Sequence, residues 1–233
     1  MPGRIPGGIS VLRCLLPPAS PDLSPAAVAR WPVLPETECP RCGAPAPAGP
    51  AALCPLCAAS PPPFDAARSL FPYAGDVRAA IVAAKYGGRP FPARAVALRL
   101  RDAVTGRWSD LFPDGDPPTV VPVPAHPWKY LRRGFNLPAL IGDRLARRAG
   151  FAFDPAALAR DRGSAPQAGT PGIRRRQNVE GIFHARRGRT APPSVLLLDD
   201  VYTTGATAVA CSRALKSAGT ASIVVVTVAR TVP

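Results

Sequence analysis

Two adjacent carboxylates, Asp199 and Asp200, follow the apolar residues Val195, Leu196, Leu197 and Leu198 and precede Val201-Tyr202-Thr203-Thr204-Gly205-Ala206-Thr207. Paired acids are poor core material, because burying unpaired charge is costly. At the C-terminal edge of a parallel strand, where open α/β sheets place their ligands, they suit a different task. They can accept hydrogen bonds from sugar hydroxyls and contribute to the electrostatics around a Mg²⁺ ion. The next residues add the complementary chemistry: Gly205 permits a tight turn with close backbone approach. The hydroxyls of Thr203, Thr204 and Thr207 and the N–H groups from Ala206 onward, at the start of a helix, can all donate to one phosphate. An ordinary turn could explain the two acids alone, but the run LLLDDVYTTGAT specifies a phosphorylated ribose. Neither GxxxxGK[ST] nor an opening GxGxxG is present, so the commoner phosphate loops are excluded.

A second constellation is metal-binding. Cys39-Pro-Arg-Cys42 and Cys54-Pro-Leu-Cys57 are separated by eleven residues. Each pair can present two thiolates from a tight turn, and four thiolates make a closed tetrahedral Zn²⁺ site with no open position for catalysis. Gly43 suits the first turn. Two disulfides, or free thiols, are the alternative. Such a ribbon would organise a segment too short to fold on its own apolar core. Cys211 reads as an apolar residue inside a late helix, and Cys14 carries no information.

Cations form a third group. Lys129, Arg132 and Arg133 follow an apolar strand at 120–123 and could neutralise a pyrophosphate, with arginine suited to bidentate contacts. Lys85, in AAIVAAKYGG, reads on composition as a helix-end charge favoured by the local dipole. His126, between prolines, and His184, after Ile182-Phe183, read as structural residues rather than general bases.

The elements that must position these groups follow from periodicity. Val77, Ala80, Ile81 and Ala84 form one helical face that Asp76 could cap and Gly87-Gly88 would stop. A second helix is expected over 93–104, a strand over 119–123, a helix from Asn136 and Pro138 with Leu140, Ile141 and Leu145 inside, a strand over 195–198, a helix over 206–218 and a strand over 223–228. Strand, helix and strand in that order predict an α/β fold with a parallel sheet flanked by helices. Residues 1–35, rich in Pro, Ala and Gly with Trp31 as their large anchor, read as a poorly defined lead-in holding one short apolar helix. Residues 36–62 read as a zinc-ribbon-like module, and 64–233 as the main domain. Residues 161–181 read as a long, mobile, basic loop.

The formal charge of +14 and pI near 10.7 come almost wholly from arginine, because Lys85, Lys129 and Lys216 are the only lysines. That balance favours phosphorylated or polyanionic partners. No apolar stretch reaches 18 residues, so no membrane span is expected. The apolar run at 9–16 is interrupted by Arg13 and makes a poor signal peptide, which points to a cytoplasmic, reducing location.

The thirteen residues 195–207 resemble the phosphoribosyl pyrophosphate signature of type I phosphoribosyltransferases. By that resemblance Asp199 and Asp200 would meet the ribose 2- and 3-hydroxyls, and Thr203, Thr204, Gly205, Ala206 and Thr207 would wrap the 5-phosphate. KYGG at 85–88, VVPVP at 120–124, RRGFN at 132–136, Gln167 and an arginine-rich stretch before Asn178-Val179 narrow the resemblance to the ComF family, over residues 36–230. That family pairs a type I phosphoribosyltransferase-like sheet with a small cysteine cluster. The resemblance implies that Lys85, Lys129, Arg133, Gln167 and Arg175 bind the same ligand, the last two from a closing loop. The family's glutamine after RGFN is Leu137 here.

The leading expectation is therefore a protein that binds 5-phosphoribosyl 1-pyrophosphate with Mg²⁺, with transfer to a nitrogen nucleophile as its activity. The resemblance also implies a nucleic-acid-associated role in uptake of transforming DNA, with single-stranded DNA or competence proteins as candidate partners. Against direct contact, no aromatic-interleaved basic stretch suited to stacking bases is expected. A partner-binding regulatory module is the third reading, and a homodimer is a candidate assembly.

Overall fold

A computed structural model describes residues 22–35, 38–45, 52–112, 117–161, 181–186, 188 and 190–232. In chain order these form α1 (Pro25–Ala29), α2 (Pro55–Ala59), β1 (Ala66–Pro72), α3 (Gly75–Tyr86), α4 (Ala93–Thr105), β2 (Thr119–Pro122), α5 (Pro127–Arg133), α6 (Leu137–Ala149), β3 (Leu158–Arg160), β4 (Phe183–Ala185), β5 (Ser194–Tyr202), α7 (Ala206–Ser217) and β6 (Ser222–Arg230). Strands β1, β6, β5 and β2 lie side by side in that order, and every pairing is parallel. The expected α/β sheet flanked by helices is present. β3 and β4 make a separate antiparallel pair.

The two central strands explain the fold. β5 and β6 carry almost unbroken Val, Leu and Ile, which suits strands covered on both faces. One face packs Leu196, Leu198, Val224 and Val226 against α3, α4 and α6. The other packs Val195, Leu197, Ile223 and Val225 against α7 and the β3–β4 pair. β5 is longer than its apolar run predicts. β6 continues to pair with it past Leu198, matching Asp199 to Thr227 and Tyr202 to Arg230.

The helical faces read from periodicity are the buried ones. α3 buries Val77, Ala80, Ile81 and Ala84 and ends against Gly87. α6 starts from Asn136, whose side-chain amide donates to the Val123 carbonyl, and stops at the left-handed Gly150.

Five elements answer to no expected one: α2, β3 and β4, which are short, and α5 and β1. The segment that carries Lys129, Arg132 and Arg133 after β2 is the helix α5, with Pro127 in its first turn, His126 as N-cap and the left-handed Gly134 at its end. β1 was not expected at all, because Arg68, Ser69 and Pro72 interrupt its apolar pattern. The sheet satisfies them: Ser69 Oγ lies 2.7 Å from Thr227 Oγ1, and Arg68 donates to the Pro40 and Ala67 carbonyls. Ahead of β1, Trp31 meets Phe71 edge to face at 5.4 Å, and Arg99 donates to the carbonyls at the end of α1.

Candidate functional site

Parallel pairing of β5 with β2 and β6 sends both carboxylates to the same sheet edge, the one that receives the ends of α3 and the start of α7. Their partners come from different layers. The Lys85 ammonium, in the last turn of α3, donates to Asp200 Oδ1 at 2.6 Å. On the other side, Arg160 of β3 and Cys211 of α7 both sense the Asp199 charge. The Asp200 N–H also donates to Asp199 Oδ1 at 2.8 Å.

Both carboxylates are half-buried. Burial pushes the Asp199 carboxyl up to about 7, with the Asp200 charge adding to it; Lys85, the Asp200 amide and Arg160 oppose the rise. The position therefore holds a proton near neutrality and favours a ligand that brings hydroxyl donors or positive charge.

The turn beyond the acids has the shape its residue types suggest. Gly205 is left-handed, at φ 77°, and is the N-cap of α7. A Cβ there would lie 2.4 Å from Tyr202 Oη. Thr203 and Thr204 are exposed, Gly205 is buried, and Ala206 and Thr207 are half-buried. Thr204 Oγ1 accepts from the Ala206 N–H at 3.4 Å, and α7 offers the amides of its first turn, which an α-helix leaves without carbonyl partners of its own.

Lys129 and Arg133, from α5, reach the same edge. Burial lowers the Lys129 ammonium, and Arg133, Arg160 and Lys85 lower it further, so four cations share one neighbourhood. Arg133 stacks over Tyr86 at 5.1 Å. Arg160 was missed in the sequence. It ends the three-residue strand β3, stacks on Phe183 at 5.2 Å and carries no motif signal. Gln167 and Arg175 lie outside the described residues. His126 Nδ1 accepts from the Trp128 N–H, and His184 lies 3.5 Å from Asp161, so both histidines have structural partners.

The rest of α5 corrects one expectation. Trp128, Tyr130 and Leu131 are 61%, 51% and 80% exposed, and Tyr86 beside them is 66% exposed. Interleaved with Lys129, Arg132 and Arg133, and with Arg132 over the Trp128 ring at 5.5 Å, they make an exposed aromatic and basic face.

The four cysteines of the two CxxC pairs converge. Their ligand atoms lie within 4.8 Å of one another, and all four residues are buried. Cys42 Sγ and Cys54 Sγ are 3.6 Å apart, far beyond the roughly 2.0 Å of a disulfide and near the roughly 3.8 Å edge of a Zn–S₄ tetrahedron. The disulfide alternative is excluded, since these cysteines are free. Burial alone would push the Cys39 thiol up, but amides of Cys42, Cys54 and Arg41 outweigh it and bring it down to about 7. The donor set fits Zn²⁺. Its first turn is docked on β1, where Ala67 donates to the Arg41 carbonyl at 2.8 Å.

No helix among the described residues is long and apolar enough to cross a membrane. No family model matches the chain. Curated proteins do. The DNA utilization protein YhgH of Salmonella typhi is 30% identical over 194 residues, 83% of this chain and 84% of that protein. Competence protein F of Haemophilus influenzae is 31% identical over 59% of each chain, and competence protein ComFC of Streptococcus pneumoniae is 34% identical over 42% of each. Among solved structures, the allosteric regulatory enzyme of purine biosynthesis aligns with a TM-score of 0.39 and 19% identity, over 63% of this chain and 29% of that one. That likeness is too slight to carry an argument.

Proposed function

This chain belongs to the ComF family of competence and DNA utilization proteins, and from that premise we propose that it serves in the handling of DNA through a site that holds a phosphorylated ribose. The observation that carries the site is the convergence of Asp199, Asp200, Lys85 and the left-handed Gly205 turn at one sheet edge. In this reading Asp199 and Asp200 accept the ribose 2- and 3-hydroxyls. Thr203, Thr204, Thr207 and the amides from Gly205 and Ala206 onward hold the 5-phosphate. Lys85, Lys129, Arg133 and Arg160 offset the negative charge at the far end of the ligand, with Gln167 and Arg175 assigned to the same ligand.

The ligand this arrangement suits is 5-phosphoribosyl 1-pyrophosphate, whose pyrophosphate would carry Mg²⁺ and so be stabilised as a leaving group. Transfer would form a bond from a nitrogen nucleophile to C1 of the ribose, break the bond from C1 to the pyrophosphate oxygen, and release pyrophosphate and one proton. The chain's own share is positioning and charge stabilisation. Calorimetry with 5-phosphoribosyl 1-pyrophosphate and Mg²⁺ tests the reading: binding is expected, and its loss in D199N/D200N. A folded wild-type sample that binds nothing overturns it.

A second reading is favoured by one observation, the exposed Trp128, Tyr130 and Leu131 among Lys129, Arg132 and Arg133. Such a face matches single-stranded DNA, because aromatic side chains stack on any base while cations follow the backbone. Under this reading the protein acts in DNA utilization without catalysis. Oligothymidylate binding that survives D199N/D200N and is lost in W128A/Y130A supports it; oligothymidylate binding unaffected by W128A/Y130A removes α5 from that role.

A further inference from the structure

The cysteine cluster and the phosphate turn are joined by two side chains that neither function uses. Arg230, at the end of β6, is only 6% exposed and donates from Nη1 to the Cys42 carbonyl at 2.9 Å. Its guanidinium carbon lies 4.8 Å from the centroid of the Tyr202 ring. Tyr202, at the end of β5, in turn places its hydroxyl so close to Gly205 that a Cβ there would meet it at 2.4 Å. Tyr202 and Arg230 are register partners, so the sheet fixes their spacing. The path from metal cluster to phosphate turn thus runs Cys42, Arg230, Tyr202, Gly205 without a gap.

The chemistry explains why these residue types are used. Arg230 has a buried Nε with no hydrogen-bond partner among the described residues, and the buried Glu38 carboxylate flanks the same cysteine turn, its Oε2 3.1 Å from where a Cβ on Gly43 would stand. A buried guanidinium needs compensating negative charge. A Zn²⁺ ion held by four thiolates carries a net negative charge, and Arg230 lies against the first cysteine turn, where a Cβ on Gly43 would come 3.1 Å from Arg230 Nη1. The negative face of the Tyr202 ring adds to that compensation. Tyr202 is buried, with its phenol pushed up to about 12 by that burial and by the nearby thiolates, which keeps it neutral beneath the turn.

We infer that Arg230 and Tyr202 are positioning residues through which the metal-loaded cysteine cluster sets the Gly205 turn in its phosphate-holding shape. The inference rests on the phosphorylated-ribose reading for its functional consequence, but not for the coupling itself. Coupling between two sites is reciprocal, so ligand at the turn must also raise the affinity of the cluster for metal.

The test uses the full zinc-loaded chain. Amide exchange at 204–208 is measured in wild type, R230M, Y202L and Y202F, with zinc content determined for each. R230M and Y202L are expected to keep zinc and to exchange at least tenfold faster at 204–208, while Y202F, which retains the ring under Arg230, stays near wild type. 5-Phosphoribosyl 1-pyrophosphate is expected to bind R230M at least tenfold more weakly, and to raise the zinc affinity measured by equilibrium competition with a chelator in wild type but not in R230M. Unchanged exchange in both R230M and Y202L, at full zinc content, overturns the inference. Should R230M not fold, Y202L decides alone. If wild type binds no 5-phosphoribosyl 1-pyrophosphate, the ligand reading fails, and the exchange measurements still decide the coupling.

Discussion

The ammonium of Lys85 lies 2.6 Å from Asp200 Oδ1, across 115 residues of sequence. This pair fixes the end of α3 to the edge of the sheet and sets the two acids apart: Asp200 is held by the ammonium, while burial pushes the Asp199 carboxyl up to about 7. K85M should therefore cost more than one surface ion pair, since it leaves Asp200 half-buried beside a second carboxylate. We expect a loss of about 1–3 kcal/mol in urea unfolding, below the 3–5 of a fully buried pair, together with at least a tenfold weaker affinity for 5-phosphoribosyl 1-pyrophosphate. Unfolding indistinguishable from wild type would show that the pair does not hold α3 in place.

Asp199 gives a pH dependence of definite sign. Its folded value, about 7, is above its ordinary 3.8, so the folded chain binds the proton more tightly than the unfolded chain does. The contribution to stability is complete below about pH 4 and disappears as pH rises through about 7. D199N should remove this slope and stabilise the protein at pH 8 by about 2–4 kcal/mol as an upper bound. Ligand affinity should move the opposite way, rising from pH 6 to 8 in wild type, because in the proposed site the ionised carboxylate would accept from ribose hydroxyls. Thermal unfolding and calorimetry across that range read both.

The proposed phosphate-holding role of the Gly205 turn is testable by one methyl group. G205A places a Cβ in a left-handed backbone and against Tyr202 Oη. A cost of about 1–3 kcal/mol is expected from strain at such a position, with loss of ligand binding. Adding Y202F should recover part of the stability but not the binding, since the backbone conformation is strained either way. Equal recovery of both would place the whole effect in the phenol contact.

Metal loading should be stoichiometric and structural. One zinc per chain is expected by elemental analysis, falling sharply in C57S, with lower thermal stability and no change in ligand chemistry at Asp199 beyond the loosened turn. G43A should act similarly without touching a thiolate, because its Cβ would meet the Ala67 carbonyl at 2.4 Å and lift the first cysteine turn from β1. A G43A protein with normal zinc content and normal stability contradicts that docking.

Much of this was legible in the sequence where one physical cause dominates. Val195 to Leu198 and Ile223 to Val226 can only be strands covered on both faces, and the face of Val77, Ala80, Ile81 and Ala84 admits only a helix. The convergence of Cys39, Cys42, Cys54 and Cys57 follows from ligand spacing. What escaped depends on contacts distant in sequence. β1 hides because Ser69 finds Thr227 across 158 residues, and Arg160 because nothing local marks it. α5 was missed because Trp128, Tyr130 and Leu131 face outward, so its apolar residues do not show the inward periodicity that identifies a buried helix. Asp199 and Asp200 could be picked out as an acidic pair, but the raised Asp199 carboxyl emerges only once its burial in the folded sheet and its neighbours Lys85 and Arg160 are placed.

The position of β6 in the sheet also dictates an order of assembly. It is the last of the described strands in sequence yet stands between β1 and β5, pairing with both. Until residues 222–230 emerge, β1 has no neighbour among the described strands and β5 shows a bare apolar edge, a state open to wrong pairing or chaperone capture. A chain leaving the ribosome must therefore hold its first strand in waiting while some 150 residues are made, and folding should be slow for its size. The cysteine cluster receives its buried arginine at the same moment, so completion of the sheet and seating of the metal module become one event.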